Sequence, residues 1–273
     1  MKIKITLICL LLIFTSFSSA HAQKKRPDSG AAASVLRNDK DEVDAAAALA
    51  PAERIQKLKA FIAAHPRSNQ KQRAQELIVV AHAMLGDEKL QAGDAAGGKE
   101  QFLQALAELP QTISDKLFDG VVAKIPGNLF LRGERAASIE MARAIEERVK
   151  DNALRLLALS AFYLGIEAPD DALRLAEQAI KLAPEESAAY QARAAAHRIA
   201  LRLDESAADY ARALELAPTS DFARRSLAEM RRATGKTEEA LALYRELLKA
   251  NAADEFARVG LVLSLFELGQ KEE

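Results

Sequence analysis

The chain has 273 residues, two domains' worth by length or a single extended repeat array. Its 38 Lys and Arg stand against 39 Asp and Glu, so a net charge of −1 creates no global field to recruit nucleic acid or an anionic membrane. Hydrophobic residues make up 49%, which excludes wholesale disorder, and with only 5% aromatics and no Trp this Ala-, Leu-, Glu- and Arg-rich chain is predicted to be all-α.

Residues 1–22 read as an export leader. Lys2 and Lys4 give a positive start, Ile5 to Phe17 is an uncharged run, and Ser18 to Ala22 ends in an A-x-A pattern. Cleavage is expected between Ala22 and Gln23, giving a periplasmic or secreted protein. The apolar run is shorter than the roughly 20 residues a membrane span needs, so no span is expected in the mature chain; an uncleaved anchor is the other reading. Cys9 lies inside the leader, so the mature protein has no cysteine for a disulfide or a metal site. Cleavage leaves 36 basic against 39 acidic residues, a net of −3. Residues 23–50 are polar and broken by Pro27 and Gly30, then Ala-rich without a sustained apolar stripe, and are expected to be a flexible tether.

Residues 51–152 carry irregular helices. Arg54 to Ala64, with Leu58 and Phe61 before Pro66, is predicted as an amphipathic helix, the second of a pair whose first member is missing or lies in the tether. A long helix follows over about Ser68 to Gln91, then a turn at Gly93 and a helix carrying Gly98, Phe102 and Ala105 up to Pro110. Ile125-Pro126-Gly127 breaks the next helix, and Gly133, Ser138, Ala142 and Ile145 fit the one after it.

From 153 to 254 the chain repeats itself. Ala172-Leu-Arg-Leu-Ala-Glu-Gln-Ala-Ile-Lys-Leu-Ala-Pro184 matches Ser206-Ala-Ala-Asp-Tyr-Ala-Arg-Ala-Leu-Glu-Leu-Ala-Pro218, and the two prolines are 34 residues apart. The pattern returns at Ala240 to Ala252. Apolar positions before each copy, such as Leu156, Leu159 and Tyr163, keep helical spacing, so each of three units is a helix, a turn and a second helix. Residues 255–273 give the first helix of an incomplete further repeat. It is apolar nearly all round, and Leu261, Val262 and Leu265 are expected to lack a partner within the chain. Three readings stand for it: a homodimer contact, insertion into a partner, or continuation in a longer protein.

This sequence resembles the tetratricopeptide-repeat family, whose unit is 34 residues. The second-helix signature is carried by Ser206, Tyr210, Ala213 and Pro218, and again by Ala240, Tyr244 and Leu247; Leu85-Gly86, Gly93, Gly98, Phe102, Ala105 and Pro110 give an N-terminal copy. Ala176 departs from the pattern, standing where the aromatic belongs. The resemblance implies tandem helix-turn-helix repeats forming a right-handed superhelical solenoid. It implies a concave face lined by first helices: Leu154, Leu157, Ala161 and Leu164, then Gln191, Ala195 and Arg198, then Phe222, Arg225, Glu229 and Arg232, and Phe256, Val259 and Leu263. Chaperone-binding members hold a terminal carboxylate with Lys and Asn at such places, and that set is missing there. The Arg-rich middle, with Arg193 and Arg224 near it, suits carboxylates on a peptide or uronic sugar; solvation or pairing with Glu229 and its neighbours is the competing account.

Catalytic signals are thin. Gly93-Asp-Ala-Ala-Gly-Gly98-Lys99 begins like a phosphate loop, but Glu100 replaces the Ser or Thr that reaches magnesium, and a helix precedes it. His65, His82 and His197 form no i,i+3 or i,i+4 pair, so no helical metal site is expected. Adjacent acidic residues such as Asp170-Asp171 and Glu238-Glu239 diverge on a helix and do not converge as acid and base. The expectation is an exported non-catalytic interaction scaffold without cofactor, binding a protein or peptide segment in its groove. The alternative is a docking module or fragment of a larger envelope enzyme or assembly whose catalytic part lies elsewhere.

Overall fold

The structure, a computed structural model, describes residues 29–270. The expected leader and its cleavage site lie outside the described residues. Among the described residues there are fourteen α-helices and one short 3-10 turn, with no strand. They are α1 (Ser29–Ala47), α2 (Pro51–Ala64), α3 (Lys71–Gln91), α4 (Ala95–Ala107), α5 (Asp115–Gly120), α6 (Ile125–Leu131) and α7 (Arg135–Val149). Then come α8 (Ala153–Gly165), α9 (Pro169–Leu182), α10 (Ser187–Ile199), α11 (Leu203–Leu216), α12 (Asp221–Ala233), α13 (Thr237–Ala250) and α14 (Glu255–Glu267). Each helix packs against the next except around the short α5, where α4 meets α7 instead, and the result is a solenoid of helix-turn-helix units.

The 34-residue period governs the backbone as well as the composition. First helices begin at 153, 187, 221 and 255, and second helices at 169, 203 and 237. Asn152, Ser220 and Asp254 each accept the N–H three residues on, and Glu186 accepts the one two residues on, so a polar cap recurs at every period. At the other end, Gly133, Glu167, Leu201, Gly235 and Gly269 all adopt a left-handed backbone. The N–H after each closes a six-residue turn: Glu134 on Leu129, Ala168 on Tyr163, Arg202 on His197, Lys236 on Arg231 and Gln270 on Leu265, all at 2.8–3.0 Å. Glycine fits this position freely, whereas Glu167 and Leu201 hold it against the steric preference of an L side chain. The same turn at Gly133 shows that the second half of the irregular region is already in register.

Close helix crossings explain the small residues. In α8 and α9, Ser160 Oγ donates to the Ala172 carbonyl at 3.0 Å; in α10 and α11, Ser206 Oγ donates back to the Ala194 carbonyl at 2.8 Å. These are the same two positions of the repeat with the hydroxyl on opposite helices. Ala228 and Ala240 make the third crossing, and Gly86 and Gly98 the N-terminal one. Buried rings sit beside them: Phe102, Tyr210 and Tyr244. Tyr244 lies over Gly260 of α14, where a Cβ would stand 2.3 Å from the ring. In the first regular unit Ala176 is fully buried, and the ring comes from α8 instead. Tyr163 there donates to Glu146 Oε1 of α7 at 2.7 Å.

Three N-terminal features follow from packing. The long α3 covers both α2 and α4. Pro126 starts α6 behind the 3-10 turn Val122–Lys124, splitting what is elsewhere one first helix. The tether expected over 23–50 is corrected from Ser29 onward, because Ser29–Ala47 is a helix. Its Val43 and Ala46 are buried with Ile55, Leu58 and Phe61. Asp39 faces the His65 ring at 3.5 Å, and Arg73 pairs with Asp44. Thus α1 supplies the first helix that α2 requires.

Candidate functional site

First helices meet one another as well as their second helices, α8 against α10 and α12 against α14, and α10 and α12 line one depression together. With α14 they surround it, an open space of about 270 Å³. The Ser220 and Asp254 caps fix where α12 and α14 begin. Phe222 and Phe256 therefore stand at the same position of successive units, 58% and 48% exposed. The Phe222 ring meets the buried Tyr210 ring edge-on at 6.3 Å. Burial pushes the Tyr210 hydroxyl pKa up, while a hydrogen bond with Ser226 opposes that rise.

Of the fourteen concave-face residues expected from sequence, the structure brings five together here: Arg198, Phe222, Arg225, Glu229 and Phe256. Leu157 and Leu164 pack along the edge of the core of α8, and Gln191 donates to Ser187 Oγ at 3.0 Å. Val259 lines a separate depression with Arg258, Val262 and Leu263. Arg232 is turned to Glu267 Oε1 at 2.6 Å.

The arginines divide sharply. Arg225 donates through Nε and Nη2 to Asp254 Oδ2 at 2.9 and 2.8 Å. Burial pushes the Asp254 carboxyl up, but the Ala257 N–H and the Arg225 guanidinium outweigh it and hold the carboxyl below its usual value. Arg193 grips Asp209 with two bonds of 2.8 and 2.6 Å. Arg224 is taken by Asp221, Glu246 and the Pro218 carbonyl. For Arg193, Arg224, Arg225 and Arg232 the pairing account of the Arg-rich middle therefore holds, with Asp209, Asp221, Glu246, Asp254 and Glu267 rather than Glu229 as partners. Reversing the charge of Arg225 and Arg232 would therefore loosen α14. Among the described residues, Arg198 has neither hydrogen-bond nor ion-pair partner, and the half-buried Glu229 across the depression has none either.

The partnerless set expected on α14 is also corrected. Leu265 is 6% exposed and Leu261 packs against the cluster of Tyr244 and Leu247, because α13 already covers that side. Only Val262 of the three is exposed, and Val259, Leu263 and Phe266 join it. Asp254 and Glu267, the partners of the two arginines, were missing from the sequence reading; their signal is an acid about one period downstream of each arginine.

The other sequence candidates fall into structural places. The phosphate-loop-like run is a helix start in which the Asp94 carboxylate accepts the Gly97 N–H at 2.8 Å. That bond, with Lys89, holds the Asp94 carboxyl below its usual value. His65 stacks on Phe61 at 4.9 Å, and His82 Nδ1 lies 2.9 Å from Gln101 Oε1. Burial lowers the pKa of His197, 3.8 Å from Asp209. Among the described residues no helix is long and apolar enough to cross a membrane, and no three His, Cys, Asp or Glu are grouped to hold a metal.

These features define a tandem array of tetratricopeptide-type repeats, an architecture carried by the chain's own 34-residue spacing of helices, caps and turns. No protein-family profile matches the chain, and no curated protein is significantly similar to it. Solved structures similar to it include MamA, at 18% identity over 60% of this chain and 93% of that one, with a TM-score of 0.45. A thermophilic tetratricopeptide-repeat protein of Thermus thermophilus is 21% identical over 69% and 99%, at 0.46. A tetratricopeptide repeat protein from Parabacteroides merdae is 13% identical over 87% and 87%, at 0.47.

Proposed function

We propose that this chain is an exported interaction scaffold that binds a protein or peptide segment on the first-helix face, at the depression between α10, α12 and α14. One observation carries the reading: two phenyl rings one repeat apart stay exposed beside a guanidinium with no partner. Exposed aromatics and an unpaired Arg are the residue types that dominate binding energy at interfaces. Grooves of this kind take extended segments, with side-chain pockets setting specificity. Export is supported by the composition of residues 1–22, and we assign no residue a catalytic role. Phe222→Ala combined with Phe256→Ala is expected to abolish capture of partners from an envelope extract while leaving helicity unchanged. Capture that survives this change, yet is lost on Phe266→Ala, would move the binding face to the outer side of α14.

A further inference from the structure

The depression holds two unpaired charges of opposite sign, and they define the chemistry of what binds there. Arg193, Arg202, Arg212, Arg224, Arg225, Arg231 and Arg232 all have a carboxylate partner, Arg258 reaches the Ala253 carbonyl, and Arg245 is engaged as well. Arg198 is the exception among the described arginines of this half. Arg225 contributes no free charge, since the buried Asp254 neutralises it. The unpaired charges at the cavity are therefore one cation, Arg198, and one anion, Glu229, beside the exposed rings of Phe222 and Phe256. An uncompensated pair of opposite charges around an apolar centre favours a ligand with the complementary pattern and rejects like charges.

Resting on the groove reading above, we infer that this site takes an extended peptide in which a large apolar side chain seats against Phe222 and Phe256, with one acidic residue on Arg198 and one basic residue on Glu229. A cavity of about 270 Å³ has room for one such side chain, and because Arg198 and Glu229 line that same cavity, the two charged residues are expected within about two positions of it. The guanidinium suits a carboxylate in a two-pronged bond, and the Glu229 carboxylate suits an ammonium or guanidinium.

The test is selection of a displayed random dodecapeptide library on the exported protein, residues 23–273. Enriched peptides are expected to share an aromatic or large aliphatic residue with one acidic and one basic residue within two positions. Arg198→Glu should weaken the best peptide about tenfold or more, and exchanging that peptide's acidic residue for Lys should restore most of the loss. Glu229→Arg should do the same toward the basic residue. The Arg198 side chain is exposed and makes no hydrogen bond or ion pair, so its reversal is expected to leave the fold intact, and circular dichroism verifies this. Peptides that lose binding on Phe222→Ala yet lack the charge pattern would overturn this inference and leave the groove reading standing. Failure to enrich any peptide sensitive to Phe222→Ala would overturn both.

Discussion

Asp254→Ala is the most informative single change because one carboxylate does two jobs for α14. Oδ1 accepts the Ala257 N–H at 3.1 Å and caps the helix; Oδ2 accepts two N–H groups of Arg225 and ties the helix to α12. Loss of the cap costs about 1 kcal/mol. Loss of the charged pair costs about another 1 kcal/mol, at the low end because the Arg225 side chain is 38% exposed and water screens it. Together these amount to about 2 kcal/mol, or roughly a 30-fold rise in the open population of α14. Hydrogen exchange read on peptides from 255–267, with α8 and α9 as internal control, measures this directly. The carboxyl's depressed pKa adds a sign. Its contribution is complete above the unfolded carboxyl's pKa and is lost as pH falls through the lower, folded value. In wild type α14 should therefore lose protection in acid, and in Asp254→Ala that part of the pH dependence should vanish. Unchanged exchange in α14, or an equal rise throughout the chain, would refute the reasoning.

Further outcomes follow from the repeat geometry. Leu201 holds a left-handed backbone with φ 59° and is 82% exposed, so Leu201→Gly should raise stability by up to about 1 kcal/mol; thermal unfolding checks it. Ala213 is fully buried on the α10-facing side of α11, and Ala213→Arg should lower the melting temperature sharply and reduce helicity by circular dichroism. An unchanged melt would contradict the crossing described for Ser206 and Ala194. Under the proposed export, the intact mass of the protein recovered from the envelope should correspond to a chain starting at Gln23; a mass that retains residues 1–22 would point to an uncleaved anchor instead.

The regular half of the fold was legible because its period is written twice, in the apolar stripe and in the Ala and Tyr of the second helices. The length of α3 was legible for the same reason, from the excess between Pro66 and Pro110. Helix α1 escaped because an Ala-rich segment that buries little more than Val43 and Ala46 has too thin a stripe to detect, and its remaining ties are the ion pairs of Asp39 and Asp44. At the site, position along the helix placed Arg198, Phe222, Arg225 and Phe256 on one face, and all four line the same depression. Position could not tell a bonded arginine from a free one, since Arg198 and Arg232 occupy the same place in successive units and only Arg232 has Glu267 within reach. Which side of α14 is bare was equally hidden, because that depends on how α13 lies over Leu261 and Leu265.

The central claim is that ligands meet this chain on the first-helix face between α10 and α14. A photo-crosslinking amino acid placed in living cells at Phe222, with matched placements at Leu182 and Leu201 outside the depression, tests it most directly. We expect a discrete crosslinked product from Phe222 that disappears with Phe256→Ala, and none from Leu182 or Leu201. Products from Leu182 or Leu201 with none from Phe222 would contradict the account.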